Sequence, residues 1–192
     1  SDFDYYLTKD KIALFPTEKR DLSKLLFYNI NNDTILHKQF NDITNLIPKK
    51  SLLILNSTKV ISARIFMKKP SGGKCEILLI EPLLPNQDPA LIMSSKEKCV
   101  WKCMIGGRNI KIDMTLSLLI DNKFSFSAII LEKEHNYAKI EFNWDNIFSF
   151  SEVISEIGKI PLPPYIDRES NQIDKDRYQT IYANFDGSIA AP

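Results

Sequence analysis

The feature that most constrains the fold is a string of short apolar segments between about Ile61 and Trp144. Each segment is rich in isoleucine, leucine and aromatic residues, a composition typical of half-buried strands. The Asp121–Asn122 pair suits a two-residue hairpin because both residues tolerate positive φ. Five or six short strands in this stretch predict a small antiparallel barrel. The predicted strands are Lys74–Glu81, Val100–Ile105, Thr115–Ile120, Phe124–Leu131 and Tyr137–Phe142, and the turns between them lie at Ser71–Gly73, Pro85–Asn86, Gly106–Gly107 and Asp121–Asn122.

The residues before the barrel carry mixed helix and strand signals. Asp42–Ile47 is predicted as a short helix that ends before Pro48, since proline disfavours helical geometry in the residue before it. Ser51–Leu55 is predicted as a fully buried strand, because its apolar run is too short for a helix. This mixture of helix and strand signals indicates that the chain begins in a part of the fold other than the all-β barrel.

The chain returns to mixed character after the barrel. Ser149 and Glu152 form a capping-box pattern, which predicts a helix ending at Gly158. Gln172–Asp174 is predicted as part of a polar loop in a turn-rich region. The predicted fold class is therefore an α/β (α+β) body interrupted by an inserted antiparallel β-barrel. The predicted boundaries place residues 1–61 and 148–192 in the body and residues 62–147 in the barrel.

The formal net charge of +1 hides an uneven distribution along the chain. Residues 59–111 hold ten lysines and arginines against four acidic residues, whereas residues 151–192 hold four basic and seven acidic residues. A local surplus of positive charge can attract nucleic-acid phosphates even in a nearly neutral protein. Lysines that simply keep a β-rich segment soluble explain the surplus equally well.

The composition is that of a soluble, reduced protein. The longest aliphatic run, Leu52–Leu55, is far too short to cross a bilayer, and the start of the chain shows no signal-peptide pattern. Cys75, Cys99 and Cys103 form no CxxC pair and have no histidine nearby, so we expect reduced thiols half-buried in strands. These patterns predict a cytoplasmic protein with no membrane association.

Two polar clusters, within an otherwise motif-poor chain, are candidates for ligand binding. The first is Asn56–Arg64, where Asn56 could hydrogen-bond a base or ribose and Arg64 could hold a carboxylate or phosphate. The second is Ser71–Glu76, where Lys74 could meet a phosphate beside paired glycines. A capped turn with a surface arginine, and an ordinary hairpin turn, are the plain structural alternatives.

A third cluster lies near the end of the chain and combines prolines, tyrosines and arginines. Prolines would hold its aromatic and basic side chains at little entropic cost. Tyrosines stack on bases and arginines bind phosphate or carboxylate, although a packing corner with an Asp–Arg ion pair is an equal alternative. The cluster comprises Leu162–Arg168 and Asp176–Tyr182, and its candidate side chains are Tyr165, Arg168, Arg177, Tyr178 and Tyr182.

These clusters, in this order and spacing, resemble the S-adenosylmethionine:tRNA ribosyltransferase-isomerase family of queuosine biosynthesis. The resemblance extends along the whole chain, and six motifs in register are far more specific than any one of them. The motifs are Ser1–Tyr5, Phe15–Pro16 with Arg20–Leu26, Leu55–Val60 with Ala63–Arg64, Gly72–Glu76, Pro161–Arg168 with Asp176–Tyr182, and Gly187–Pro192.

The resemblance implies a fold, an activity and a set of partners. The family has an α/β body with an inserted β-barrel. Its members transfer and isomerise the ribosyl part of S-adenosylmethionine onto 7-aminomethyl-7-deazaguanine in the tRNA anticodon loop, giving epoxyqueuosine and releasing adenine and methionine. S-adenosylmethionine is then a cosubstrate, and no metal is expected, since the cosubstrate's own leaving groups drive the reaction. We expect a monomer.

Under this hypothesis we assign roles to the clustered residues. Tyr165 and Arg168 are assigned to catalysis, Tyr165 by stacking or proton transfer. The remaining residues are assigned to substrate binding, and they are Asn56, Thr58, Arg64, Lys74, Glu76, Arg177, Tyr178 and Tyr182.

Two departures from the family pattern affect these expectations. Lys24 stands where the family usually has arginine, which matters only if a bidentate contact is needed there. The family pattern continues beyond Ala190–Pro192 into a long further part, so we expect this chain alone to be inactive or incomplete. A non-catalytic tRNA-binding module, or a remnant, is the alternative.

Overall fold

The computed structural model describes residues 4–120 and 124–188, which divide into two compact units. The first unit contains the chain up to Leu55 together with Pro164–Arg168, and the second contains Asn56–Pro163 and the chain from Glu169 onward. The predicted domain boundaries at residues 61/62 and 147/148 follow the sequence pattern rather than this division, and they stay a prediction.

The first unit is built on a two-stranded hairpin. Strand β1 (Lys24–Asn29) pairs antiparallel with β2 (Thr34–Gln39), and the turn between them holds Asp33 at a φ of 52°. A 3₁₀ turn at Phe40–Asp42 leads into the short helix α1 (Ile43–Leu46), which confirms the helix predicted before Pro48. The sequence analysis missed the hairpin, because β2 is exposed at every residue and so lacks the alternation typical of a half-buried strand.

The predicted buried strand at Ser51–Leu55 is wrong. These residues form no strand, and Leu52 and Ile54 are 86% and 88% exposed. A strand needs a hydrogen-bonding neighbour and an apolar layer above it, and the described residues provide neither for this segment. The prediction failed because it rested on apolar composition alone.

The second unit contains a closed six-stranded barrel, which confirms the predicted antiparallel barrel. The strands follow one another around it in the order β4-β5-β6-β9-β8-β7, and Lys68 pairing with Ser117 closes the ring between β4 and β7. A short strand, β3 (Thr58–Val60), precedes the barrel, and helix α2 (Pro89–Ser94) connects β5 to β6. The barrel strands are β4 (Arg64–Lys68), β5 (Lys74–Leu84), β6 (Cys99–Gly106), β7 (Thr115–Ile120), β8 (Phe124–Glu134) and β9 (Tyr137–Trp144).

Alternating side chains of these strands fill the barrel. In β6, for example, Cys99, Trp101, Cys103 and Ile105 are buried, and the residues between them other than Val100 are exposed. Such alternation is the period of two that places every second side chain in the interior. The predicted Asp121–Asn122 hairpin lies outside the described residues, although β7 and β8 on either side of it pair antiparallel.

Helix α3 (Phe150–Ile157) packs against the barrel end formed by the start of β6 and the end of β9. Phe150 lies 5.7 Å from Trp101 and 5.8 Å from Phe142, measured between ring centroids. Each fully buried aromatic of this size contributes about 1.5–3 kcal/mol to the free energy of unfolding. The capping box of Ser149 and Glu152 is present as predicted.

Gly158 ends α3 as predicted, but its φ of −83° shows that it is not needed for a left-handed turn. A Cβ at this position would overlap the backbone carbonyl of Ser62, so glycine is required for close approach of two chain segments. The same approach pairs the backbone of Arg64 with that of Lys159 through two hydrogen bonds.

The predicted polar loop at Gln172–Asp174 is wrong, because these residues begin helix α4 (Gln172–Arg177). Asn171 caps the helix by accepting a hydrogen bond from the Ile173 N–H, and Asp174 accepts one from the Asn171 N–H. This reciprocal capping box was present in the sequence and was overlooked.

The last strand, β10 (Phe185–Ser188), pairs in parallel with β3. Among the described helices, none has the length and apolar content that a membrane span requires.

Candidate functional site

Gln179 joins two of the clusters singled out in the sequence. Its Oε1 accepts a hydrogen bond from the Val60 N–H at 2.8 Å, and its Nε2 donates one to the Val60 carbonyl at 2.6 Å. The Asn184 N–H donates to the Ser57 carbonyl at 2.8 Å nearby. The structure thus brings the Asn56–Arg64 cluster against the Asp176–Tyr182 cluster, although more than a hundred residues separate them in the sequence.

A groove of about 310 Å³ lies beside this junction, within the second unit. We call it the Val60 groove. Its apolar wall includes Val60, Met93, Ile154 and Ile160, all of which are buried. The polar groups that line it are Lys59, Ser62, Ser151, Ser155, Lys175, Asp176 and Gln179. An apolar wall with a few converging hydroxyl, ammonium and carboxylate groups is typical of a small-molecule site.

Ser151 and Ser155 are functional candidates that the sequence analysis missed. They stand four residues apart on α3, and this spacing places both hydroxyls on the same face of a helix. The spacing was readable from the sequence once the helix had been predicted. What could not be read was that this face lines a groove rather than open solvent.

Asn56 and Thr58 precede and begin β3. The Asn56 Oδ1 accepts a hydrogen bond from the Thr58 N–H at 2.9 Å, so the amide oxygen stabilises the local turn. The predicted capping role of Asn56 is therefore present, and its amide N–H groups and the second lone pair of Oδ1 could contact a base or ribose. Asn56 is exposed and Thr58 is half-buried.

Arg64 and Glu76, both predicted to bind substrate, pair with each other. The Arg64 Nε lies 3.1 Å from the Glu76 Oε1, and its Nη2 donates to the Leu162 carbonyl at 3.4 Å. The Nε–H is not directed along the 3.1 Å separation, so the pair is an ion pair without a hydrogen bond at that atom. Because Arg64 is only half-buried and Glu76 is exposed, solvent weakens this pair.

Lys74 lies at a different end of the barrel from Arg64. It begins β5, where it pairs with Lys68 beside the turn at Gly72, whose φ is 81°. Arg64 lies at the opposite end of β4, about 13 Å away at the rise of an extended strand. The structure therefore does not bring Lys74 together with Arg64 and the Val60 groove.

Tyr165 and Arg168, the two predicted catalytic residues, belong to the first unit. The Arg168 Nε donates to the Leu14 carbonyl at 2.7 Å, and its guanidinium lies 4.3 Å from the centroid of the Phe15 ring. Tyr165 is 63% exposed. These contacts connect the Phe15–Pro16 motif to the Pro161–Arg168 motif, and a planar guanidinium stacked on a ring is held in a defined orientation.

Asp167 does not form an ion pair with the neighbouring Arg168. Asp167 instead accepts a hydrogen bond from Lys9 Nζ at 2.7 Å, and Arg168 points to the N-terminal segment. The hydrogen bond and charge of Lys9 lower the pKa of the Asp167 carboxyl. Both side chains are largely exposed, so this pair contributes little to stability.

The remaining predicted binding residues follow or end α4. Arg177 is the last residue of α4, and Tyr178 is its C-cap; both are half-buried. Tyr182 is exposed, and its N–H donates to Thr180 Oγ1 at 3.3 Å. These residues flank Gln179 in sequence, which places them on the segment that forms one wall of the Val60 groove.

The three cysteines lie in strands β5 and β6 and are fully buried free thiols, not half-buried as predicted. Burial raises the pKa of Cys75 to about 11, and it raises the pKa of Cys103 well above its ordinary value. Protonated, buried thiols are poor nucleophiles. Within residues 4–120 and 124–188, no three acidic, cysteine or histidine side chains converge as a metal site would require.

The full chain is similar to known proteins of one family. The queuosine biosynthesis protein family matches residues 1–192. Proteins named S-adenosylmethionine:tRNA ribosyltransferase-isomerase are 37% identical in Aliarcobacter butzleri and 40% identical in Sulfurimonas denitrificans. Each of these alignments covers 100% of this chain, and 53% and 52% of the relative, respectively. The chain thus spans about half the length of the curated relatives it matches.

A solved structure gives a similar sequence match. The crystal structure of S-adenosylmethionine tRNA ribosyltransferase from Thermotoga maritima is 29% identical, and the match covers 86% of this chain and 52% of that chain with a TM-score of 0.31. Membership therefore rests on the match of the family to the whole sequence and not on that superposition. The chain belongs to the queuosine biosynthesis protein family.

Proposed function

We propose that this chain acts in tRNA modification as part of an S-adenosylmethionine:tRNA ribosyltransferase-isomerase. The reaction transfers and isomerises the ribosyl moiety of S-adenosylmethionine onto 7-aminomethyl-7-deazaguanine at the tRNA wobble position and gives epoxyqueuosine. S-adenosylmethionine is the cosubstrate, and the cytoplasm is the compartment in which both substrates occur. The names of the relatives and the family membership support this proposal.

The observation that carries the proposal is the junction at Gln179. Two motifs that the family resemblance singled out are held together by the paired hydrogen bonds between Gln179 and Val60. A catalytic site for two large substrates needs groups from distant parts of the chain at fixed positions. The Val60 groove beside the junction has the apolar wall and polar groups to bind part of the cosubstrate.

The lining of the groove suggests how the cosubstrate would bind. The ammonium groups of Lys59 and Lys175 would attract the methionine carboxylate, and Asp176 would attract its ammonium group. The hydroxyls of Ser151 and Ser155 can donate to or accept from ribose or adenine atoms. Arg64, held by Glu76, would then be a positioning residue at the adjoining start of β4.

Adenine release from S-adenosylmethionine tests the proposed function. The chain would be assayed with tRNA that carries 7-aminomethyl-7-deazaguanine and, as the control, with unmodified tRNA. Because the chain spans about half of its relatives' length, each assay would be repeated after adding a protein fragment that covers the remaining half of the Sulfurimonas denitrificans relative.

The proposal predicts that adenine is released in at least one of the two samples, the chain alone or the chain with the added fragment, and that this release requires the modified base. Release in neither sample, or release that is independent of the modified base, contradicts it. Retained tRNA binding without adenine release would favour the non-catalytic tRNA-binding module.

A further inference from the structure

One end of the barrel carries a cluster of basic side chains that the groove does not use. We call it the basic barrel end. Three connections meet there: the β4–β5 turn, the β6–β7 segment and the β8–β9 turn. Gly106 pairs with Glu76, the Ile105 N–H donates to the Asn136 carbonyl, and Lys68 pairs with Ser117, so the three connections adjoin. The basic residues of this end are Lys68, Lys69, Lys74, Arg108, Lys111 and Lys133.

The charge of this end is not neutralised. None of its six basic residues forms an ion pair with a carboxylate of the described chain, and residues 68–74, 106–114 and 133–137 contain only two acidic residues, Asp113 and Glu134. Elsewhere on the barrel, by contrast, Lys98 pairs with Glu141, and Lys139 pairs with Glu132. Six cations without an ion-pair partner in the described chain therefore lie together at this end of the barrel.

Hydrogen bonds and tight turns brace the connections that carry these cations. Lys69 Nζ donates to the Arg108 carbonyl at 2.6 Å and so ties the first connection to the second. Lys133 Nζ donates to the His135 carbonyl at 2.8 Å within the third. Gly107 has a φ of 144°, a conformation that favours glycine, and a Cβ there would lie 3.1 Å from the Ile110 Cδ1. The connections are short and braced, which lowers the entropic cost of binding a ligand with repeated charges.

An exposed aromatic side chain, Tyr137, follows the third connection and lines a surface hollow together with Lys133, Lys102 and three glutamates. Tyr137 begins β9 directly after the third connection, is 47% exposed, and has Lys102 Nζ 5.8 Å from its ring centroid. Single-stranded nucleic acids bind to surfaces that combine backbone-neutralising cations with a ring on which a base can stack.

We infer that the basic barrel end binds RNA, with Lys68, Lys74, Arg108 and Lys111 neutralising backbone phosphates and Tyr137 stacking on a base. This inference rests on the proposed function only in naming tRNA as the RNA. The site lies at the opposite end of the barrel from α3, the helix that lines the Val60 groove. Two separate surfaces would allow the protein to hold the RNA at one place and carry out chemistry at another.

Binding of fluorescein-labelled tRNA, followed by fluorescence anisotropy over a range of salt concentrations, tests the inference. The test variant is the triple substitution Lys68→Gln, Lys74→Gln and Lys111→Gln in the 192-residue chain. The matched control is Lys24→Gln, Lys38→Gln and Lys49→Gln, which removes the same charge from exposed positions in the first unit. Circular dichroism checks that all proteins melt at the same temperature.

The test variant should bind about tenfold or more weakly at about 100 mM salt, and its slope of log affinity against log salt should fall by about two to three. The control variant should keep the wild-type slope. The variant Tyr137→Leu should weaken binding about fivefold or more without changing the slope. Equal losses in the two triple variants, an unchanged slope in the test variant, or no tRNA binding by the wild-type chain overturns the inference.

Two further readouts separate the possible failures. Polyglutamate that displaces tRNA at equal charge concentration, together with an inert Tyr137→Leu variant, would show an acidic-protein surface instead and overturn the RNA assignment. Adenine release measured in the same samples reports on the proposed function independently. If the test variant released adenine and bound tRNA as tightly as the wild-type chain, RNA binding by the basic barrel end would be refuted and the proposed function would stand.

Discussion

The hydrogen bonds between Gln179 and Val60 predict a measurable loss of stability in the variant Gln179→Ala. Val60 is 2% exposed, so the substitution leaves a buried backbone N–H and a buried carbonyl without their partner. Each unsatisfied buried group costs about 1–3 kcal/mol. The two groups together would cost about 2–6 kcal/mol of unfolding free energy. Water that enters the Val60 groove and replaces the amide lowers this cost, so we expect a loss at the lower end of the range, about 2 kcal/mol.

Urea unfolding followed by tryptophan fluorescence measures this loss in the correct part of the molecule. Both tryptophans, Trp101 and Trp144, lie in barrel strands of the second unit, which also contains Gln179. Hydrogen exchange of the Val60 amide gives a local readout, and it should become faster in the variant.

The variant Gln172→Ala is the matched control for this prediction. Gln172 is exposed at the first turn of α4, so its loss should change the unfolding free energy by less than about 0.5 kcal/mol. If Gln179→Ala and Gln172→Ala had the same stability, or if exchange at Val60 were unchanged, the paired hydrogen bonds could not be what holds the two motifs together.

Two further predictions concern the barrel and the helix that packs on it. Gly158→Ala should destabilise the second unit by about 3 kcal/mol, because its Cβ would overlap the Ser62 carbonyl, whereas Gly106→Ala meets only ordinary contacts and should cost less than about 1 kcal/mol in the same urea titration. The three cysteines should resist a thiol-reactive disulfide reagent at about pH 8 in the folded protein and react in denaturant, because burial raises their pKa and fewer thiolates form below that pKa. Rapid labelling of the folded protein would contradict the burial of all three.

Local sequence patterns predicted the barrel strands and α3 because the signals for those elements are short-range. A period of two identifies a strand such as β6, and a serine and a glutamate three residues apart identify the start of α3. The same rules applied to Asn171 and Asp174 would have predicted α4. The prediction of a loop there was therefore wrong because the capping box was overlooked, although the local signal for the helix was present.

Long-range pairing accounts for what the sequence could not predict. Leu52 and Ile54 have the composition of a buried strand, but burial depends on whether another layer covers them. Glu76 was assigned to substrate, yet it pairs with Arg64 on a neighbouring strand, which depends on the register of β4 and β5. The contact of Gln179 with Val60 joins residues that precede and follow the entire barrel in the sequence, and no spacing rule relates the two positions.

Adenine release is also the measurement that tests the central claim, that the Val60 groove binds part of the cosubstrate. Ser155→Phe would place a ring in the groove, and Ser125→Phe would place one on an exposed position of β8 as the control. The account predicts that release dependent on the modified tRNA is lost in Ser155→Phe and kept in Ser125→Phe, with both variants folded. Both variants would be measured under the conditions, with or without the added fragment, in which the unaltered chain releases adenine. Equal release by the two variants there would show that the cosubstrate binds elsewhere and would contradict the account.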